Sequence, residues 1–152
     1  MAILPLVHPS PERRTPLRLL SYWEKLRKGR LMPLESDLNP EDIRDLWDSC
    51  FLIHVKDSNP SHYRYSYVGP GIVQAYCGDM PDNDSGAEVT PQPGMIDGYR
   101  TVIRTCKPLI ETGEFSNRQD KTVKYRQCLL PLGDGDEVQA ILGALHFRIF
   151  SH

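Results

Sequence analysis

The chain is predicted to fold as an α+β domain: one five-stranded antiparallel sheet with helices on one face and further helices flanking it at the N-terminal end. Apolar and polar residues alternate with the two-residue period of β-strands in two stretches before residue 70 and three after residue 108. Helical patterns precede the first pair of strands and separate it from the last three. With 152 residues, 39% of them hydrophobic, the chain has the length and core of one domain.

Residues 1–14 are expected to form a flexible arm, because three prolines interrupt them and they show no hydrophobic period. The single domain then spans residues 15–152. It is expected to begin with a helix that has Thr15 as its N-cap and Pro16 at its first position, and that runs to Gly29.

The apolar face of this first helix covers more of its circumference than one contact needs. Packing one side on the sheet would leave apolar surface for a protein partner or for a second copy in a homodimer. The expected interface residues are Leu19, Leu20, Tyr22, Trp23 and Leu26. Trp23 is predicted to be either the anchor of that interface or a residue docked on its own domain, and the sequence leaves both open.

A second helix is indicated by Asn39 as the cap, Pro40 as the first residue and Asp42 in the position of a capping box. Its predicted apolar face carries Ile43, Leu46, Trp47 and Cys50.

A hairpin is predicted next, with a first strand over residues 51–56 and a second strand that places Tyr63, Tyr65 and Tyr67 on one face. A short helical turn at residues 72–76 follows, and the conformation of residues 79–93 is left open because turn-forming residues dominate there. The remaining elements are expected to be a helix at Met95–Cys106 and strands at Leu109–Ser116, Thr122–Leu132 and Val138–Phe150.

Several short fragments follow one another in this order of elements: Tyr22-Trp23-Glu24-Lys25-Leu26-Arg27, Met32-Pro33, Asn39-Pro40, Phe51-Leu52-Ile53, Tyr63-Arg64-Tyr65, Cys77-Gly78, Leu129-Leu130-Pro131-Leu132 and Ile141-Leu142-Gly143. Together they resemble the alphaproteobacterial group of stand-alone PAS-domain proteins. Residues 79–88 depart from the Leu-Thr-Gly-Arg-like turn that such proteins carry. The resemblance implies a sensory module that transmits a signal by binding a partner or itself.

A PAS-like fold also implies a space between the sheet and the long helix, which is either solid core or a pocket for a small apolar or aromatic ligand. The residues expected to line it are Tyr65, Tyr67, Tyr76, Tyr99, Val102, Ile103, Cys106, Leu145 and Phe147. Tyrosine hydroxyls would supply its polar groups. The alternative, that these side chains simply fill the core, stays open.

The cofactor of such a pocket is unknown, and the sequence argues against three candidates. Haem needs an axial ligand, and no histidine lies between Met95 and Pro108. Light-sensing flavin domains resemble Asn-Cys-Arg-Phe around the reactive thiol, whereas Cys77 and Cys106 stand in other contexts. Among the histidines, only His54 and His146 occupy interior strand positions, without the spacing of metal ligands.

Charge and hydropathy exclude several further classes of protein. The chain has 18 basic and 20 acidic residues, so no excess of positive charge points to a nucleic acid. Its apolar opening run is too short to span a membrane, and its four cysteines are far apart, which is typical of free thiols. We therefore expect a cytoplasmic protein that binds neither nucleic acid nor membrane.

An enzyme is the alternative function, because small α+β folds with a conical pocket can place an acid in apolar surroundings and abstract protons. The candidate residues for such an isomerase-like activity are Glu111, Glu114 and Tyr99. No nucleophile elbow, phosphate-binding loop or metal motif accompanies them. We expect a non-enzymatic module whose output passes through a partner or self-association, since no effector segment follows Phe150.

Overall fold

A computed structural model describes residues 11–55, 63–75, 93–116 and 120–150. Five strands form one antiparallel sheet in the order β2-β1-β5-β4-β3, which confirms the predicted α+β fold class. The strands are β1 (Cys50–Val55), β2 (Tyr63–Val68), β3 (Leu109–Ser116), β4 (Thr122–Asp134) and β5 (Glu137–Phe150). The helices are α1 (Pro11–Arg27), α2 (Pro70–Ala75) and α3 (Pro93–Thr105).

β5 lies at the centre of the sheet, between β1 and β4. The two longest strands, β4 and β5, form a hairpin. β4 and β5 pair from Thr122↔Phe150 to Asp134↔Glu137. Gly135 in the tight turn has a φ of 61°, a left-handed conformation that glycine adopts without steric cost. β1 pairs with the free side of β5, and β3 pairs with the free side of β4.

The sheet has two faces, because successive side chains alternate and directly paired residues share a side. We call the inner face the one that carries Phe51, Gln127 and Leu129, since Tyr99 of α3 packs on the Phe51 ring at 6.3 Å between ring centroids. The outer face carries Cys50, Cys128 and His146 among others. Residues of α1 line a cavity together with His146, which places α1 against the outer face.

The first helix begins at Pro11 instead of at Pro16, five residues earlier than predicted. α1 starts at Pro11, so residues 11–14, assigned to the arm, are its first turn, and Thr15 is an interior residue that is 5% exposed instead of an N-cap. Proline suits the first turn of a helix because its missing amide hydrogen has no partner there. Pro11 follows that rule, whereas Pro16 lies inside the helix, beyond its first turn.

The predicted second helix is wrong. Residues 35–49 form three short 3-10 helices, Glu35–Asp37, Pro40–Ile43 and Trp47–Ser49. Asn39 does act as a cap, since its side-chain oxygen accepts a hydrogen bond from the Glu41 amide at 3.1 Å. The Asp42 carboxylate makes no capping box and instead accepts a hydrogen bond from the Tyr22 hydroxyl at 2.8 Å, which ties this segment to α1.

A β-bulge in the β1–β2 hairpin corrects the predicted alternation of tyrosines. Tyr65 pairs with Ile53 and Tyr67 with Leu52, so one residue of β2 has no partner across the bulge. The two tyrosines therefore lie on opposite faces. Tyr67 is on the outer face, where its ring stacks on Trp47 at 4.3 Å and its hydroxyl donates to the Trp47 carbonyl at 2.9 Å.

Candidate functional site

Two tyrosine hydroxyls meet beneath α3. Tyr99 lies on the buried stripe of α3, and its hydroxyl oxygen is 2.8 Å from that of Tyr65 on β2. The Phe51 ring lies 5.7 Å from the Tyr65 ring in an edge arrangement. Burial raises the pKa of Tyr65, and the hydrogen bond with Tyr99 opposes that rise. The pair is thus a neutral donor and acceptor in aromatic surroundings.

A buried amide lies under the same helix. Gln127 is fully buried on β4, and its side-chain nitrogen donates to the Glu111 carboxylate at 2.5 Å. Its side-chain oxygen has no hydrogen-bond partner among the described residues. A buried acceptor without a partner costs about 1 to 3 kcal/mol, so Gln127 is the polar group of this region that most needs a ligand or a water.

α3 approaches this amide closely at Gly98. A Cβ atom added there would lie 3.0 Å from Gln127 Nε2 and 3.0 Å from Leu129 Cδ1, and it would overlap the Glu111 carboxylate. Gly98 directly precedes Tyr99, so the amide and the tyrosine pair lie under neighbouring residues of one helix. Sequence reasoning missed Gln127 and Gly98, although each is a deviation inside a regular apolar pattern.

The structure brings together some of the expected pocket residues. Tyr65 and Tyr99 are in contact, Val102 and Leu145 are buried in the same core, and Ile103 and Phe147 are partly buried against it. Tyr67 does not belong to this group because it lies on the outer face. Tyr76 lies outside the described residues.

Cys106 is buried at the C-terminal end of α3, about two helical turns from Tyr99. Its thiol donates to the Asp136 carbonyl at 3.2 Å, in the β4–β5 turn. Burial and the nearby Asp136 charge raise the pKa of this thiol. Cys106 therefore joins α3 to the hairpin and lies apart from the tyrosine pair.

The model of the PAS domain family matches residues 12–146, which is most of the chain. The chain belongs to the PAS domain family. The match confirms that the chain is a PAS-domain protein, as the sequence analysis predicted. Its assignment to the alphaproteobacterial group within that family stays a prediction. No curated protein matches the chain by sequence.

Solved structures show the same fold. The Rhodobacter sphaeroides LOV protein is 14% identical, with a TM-score of 0.51, and the match covers 70% of this chain and 65% of that one. A structure of the RsLOV d2 variant gives a TM-score of 0.52 at 14% identity and the same coverage. This PAS domain thus spans slightly less than two thirds of these two LOV chains, and at this identity the likeness concerns the fold alone.

The structure corrects two of the expected interface residues on α1. Leu19 is 0% and Trp23 4% exposed, because both are buried in this PAS domain's own core. The Trp23 indole nitrogen donates to the Pro131 carbonyl at 2.8 Å. Neither residue offers surface to a second subunit. Leu20, Tyr22 and Leu26 are only partly buried.

The remaining candidate residues for chemistry are dispersed. Glu111 and Glu114 project from opposite faces of β3, since Glu111 pairs with Gln127 and Glu114 with Lys124. His54 pairs with Ala140, which places it about 20 Å along the sheet from His146. Within the described ranges, no group of three or more histidines, cysteines, aspartates or glutamates could hold a metal ion, and no helix could span a membrane.

Proposed function

We propose that this PAS domain senses a small molecule between α3 and the inner face of the sheet, and passes the signal to a protein partner or a second copy in the cytoplasm. The observation that carries this proposal is the buried Gln127 side-chain oxygen, which lacks a partner among the described residues. The signal-sensing role is typical of the PAS family to which the chain belongs.

The surrounding groups favour a particular ligand chemistry. The Gln127 oxygen can only accept a hydrogen bond, so the ligand would present an N–H or O–H group to it. The Tyr65–Tyr99 pair offers a neutral donor or acceptor, and the Phe51 ring offers an apolar wall. A flat aromatic or apolar molecule with one polar edge suits these groups.

A sensing role is favoured over an isomerase-like reaction. Such a reaction needs a general base with access to the substrate. Glu111 lies beside the proposed site, and one of its oxygens already accepts the Gln127 amide hydrogen bond. Glu114 is exposed on the outer face, so the two carboxylates cannot serve one substrate as an acid and base pair.

Native mass spectrometry of the protein purified from its source would test for a retained molecule. A thermal-shift screen of metabolites would then be run on wild type and on Tyr99→Phe, with Tyr67→Phe as the matched control on the outer face. We expect a ligand to raise the melting temperature of wild type and Tyr67→Phe, and to do so less for Tyr99→Phe.

Two results would contradict the proposal. If no molecule is retained and none stabilises the protein, the residues beneath α3 are a filled core. If a stabilising molecule is converted to a product by the wild-type protein, the chain is an enzyme.

A further inference from the structure

Within the part of the chain that the structure describes, α1 covers one half of the outer face of the sheet. In that half Cys50, Leu130, Leu142 and Ala144 are buried. The other half, formed by β3 and the adjoining ends of β4 and β5, contains a groove of ≈ 580 Å³. We call it the basic groove. Its side chains on the outer face include Glu114, Lys124, Arg126, His146, Arg148 and Phe150.

Charge is segregated into this groove. Among the described residues that line the groove, Lys124, Arg126 and Arg148 are basic and Glu114 is acidic. The whole chain, in contrast, has a formal net charge of −2. A neighbouring cavity, lined by Arg14, Arg18, Asp45 and His146 among others, lies between the groove and α1, and there Arg18 is ion-paired with Asp45.

Exposed apolar side chains accompany these cations. Ile110 is 43% and Phe150 39% exposed, and both belong to the outer face. The Lys124 ammonium lies 5.2 Å from the centroid of the Phe150 ring, so the charge is held over an apolar surface. Cations beside exposed apolar groups are suited to a protein segment that combines carboxylates with apolar residues.

We propose that the basic groove docks an acidic, amphipathic segment of a partner protein, which lies on the sheet beside α1. This inference rests on the partner-binding part of the proposed function. α1 shows that a helix of this chain already packs on the same face. A second copy is disfavoured, because a two-fold axis through the groove would bring Lys124 and Arg126 close to their own equivalents. Residues 1–10 contain no acidic side chain and lack the complementary charge.

The test measures the binding of defined probes to the full chain by fluorescence anisotropy. The probes are a synthetic amphipathic peptide of Glu, Leu and Phe, the same peptide with Lys in place of Glu, a DNA duplex and vesicles containing phosphatidylglycerol. The groove variant is Lys124→Glu with Arg126→Glu. The matched control is Arg100→Glu with Lys107→Glu, which makes the same charge change at exposed positions on and after α3.

We expect the acidic peptide to bind wild type and the control, and to bind the groove variant about tenfold or more weakly. The Lys peptide should bind least well to wild type. If the groove variant melts early, Lys124→Gln with Arg126→Gln replaces it, and weaker binding of the acidic peptide is expected again.

Several results would overturn the proposal: equal binding of the acidic peptide to groove and control variants, preferential binding of DNA or vesicles, or wild-type self-association that the groove variant abolishes. A photoreactive residue at Thr112 adds a second criterion, because a crosslink to residues 1–10 of the same chain would identify the arm as the occupant. Failure here would leave the ligand screen unaffected, since that screen reports on the opposite face of the sheet.

Discussion

The indole nitrogen of Trp23 donates a hydrogen bond across 2.8 Å to the carbonyl of Pro131, a residue 108 positions later in the chain. This bond is buried and joins α1 to β4. The Arg27 guanidinium lies 5.6 Å from the centroid of the same indole and covers it from the solvent side of the helix. α1 is therefore part of the folded core.

Trp23→Phe should lower the free energy of unfolding by about 1 to 3 kcal/mol, because it leaves the Pro131 carbonyl without its donor in a buried place. Trp23→Ala should cost about 3 to 5 kcal/mol. Urea unfolding measures both, and Leu17→Ala is the control because Leu17 is 57% exposed on the same helix.

Sedimentation of wild type and Trp23→Ala across a concentration series shows whether Trp23 anchors an interface or only packs within its own domain. Since Trp23 is buried in its own domain, we expect the variant to melt earlier while its oligomeric state stays that of wild type. A wild-type dimer that Trp23→Ala dissociates without loss of stability would contradict this assignment.

Gly98→Ala should destabilise the protein by about 1 to 3 kcal/mol, because the added methyl group meets the Glu111 carboxylate and the Gln127 amide. Shortening one of these side chains should relieve the overlap. In a double-mutant cycle, Gly98→Ala should therefore cost less when Glu111→Ala is present. Additive effects of the two changes would show that α3 does not approach the sheet at this point.

Val102→Ala should lower the free energy of unfolding by about 1 to 3 kcal/mol, because Val102 is fully buried. Ile103→Ala removes more atoms than Val102→Ala. It should nevertheless lower the free energy of unfolding by less than the number of removed atoms suggests, since Ile103 is only partly buried. If a ligand fills the space beneath α3, Val102→Ala should also reduce its thermal stabilisation. A loss of that stabilisation with little change in the apo protein would favour a cavity over a packed core.

Periodicity predicted the elements whose pattern is set by one buried face. The stripe of α3 and the three C-terminal strands follow the predicted positions closely, because their alternation persists over many residues. Residues 35–49 contain a helix cap and the apolar residues of a helix, but they form three short 3-10 helices. Tertiary contacts such as the Tyr22–Asp42 hydrogen bond outweigh the local helix preference here.

The site was harder to predict than the fold. A single extra residue in a bulge moved Tyr67 to the other face, and nothing in the alternation of the three tyrosines marks that position. The sequence did not reveal Gln127, because a single polar residue on an apolar strand face does not change the alternation by which the strand is recognised. The basic groove combines side chains from three strands that only the folded sheet brings together. The formal net charge of the whole chain, −2, therefore gave no indication of a basic surface.

Two buried thiols should make the stability of the protein fall at alkaline pH. Cys50 and Cys128 both flank Ala144 on the outer face and are fully buried. Burial raises the pKa of Cys128 to about 12, and burial together with the Cys128 charge raises that of Cys50 to about 12, from an ordinary value of 9.0.

The unfolded chain releases these protons at lower pH than the folded protein, so the unfolded state gains stability first as the pH rises. The stabilisation from each thiol is fully present below pH 9.0 and is lost progressively as the pH approaches about 12. Each thiol contributes a slope of at most about 1.4 kcal/mol per pH unit. Urea unfolding between pH 8 and roughly 10.5 should show this decline, and Cys128→Ala should reduce its slope. Cys106→Ala, which removes a thiol at the end of α3, is the matched control and should change the slope less. An equal slope in wild type and Cys128→Ala would show that the Cys128 thiol does not keep its proton in the folded protein.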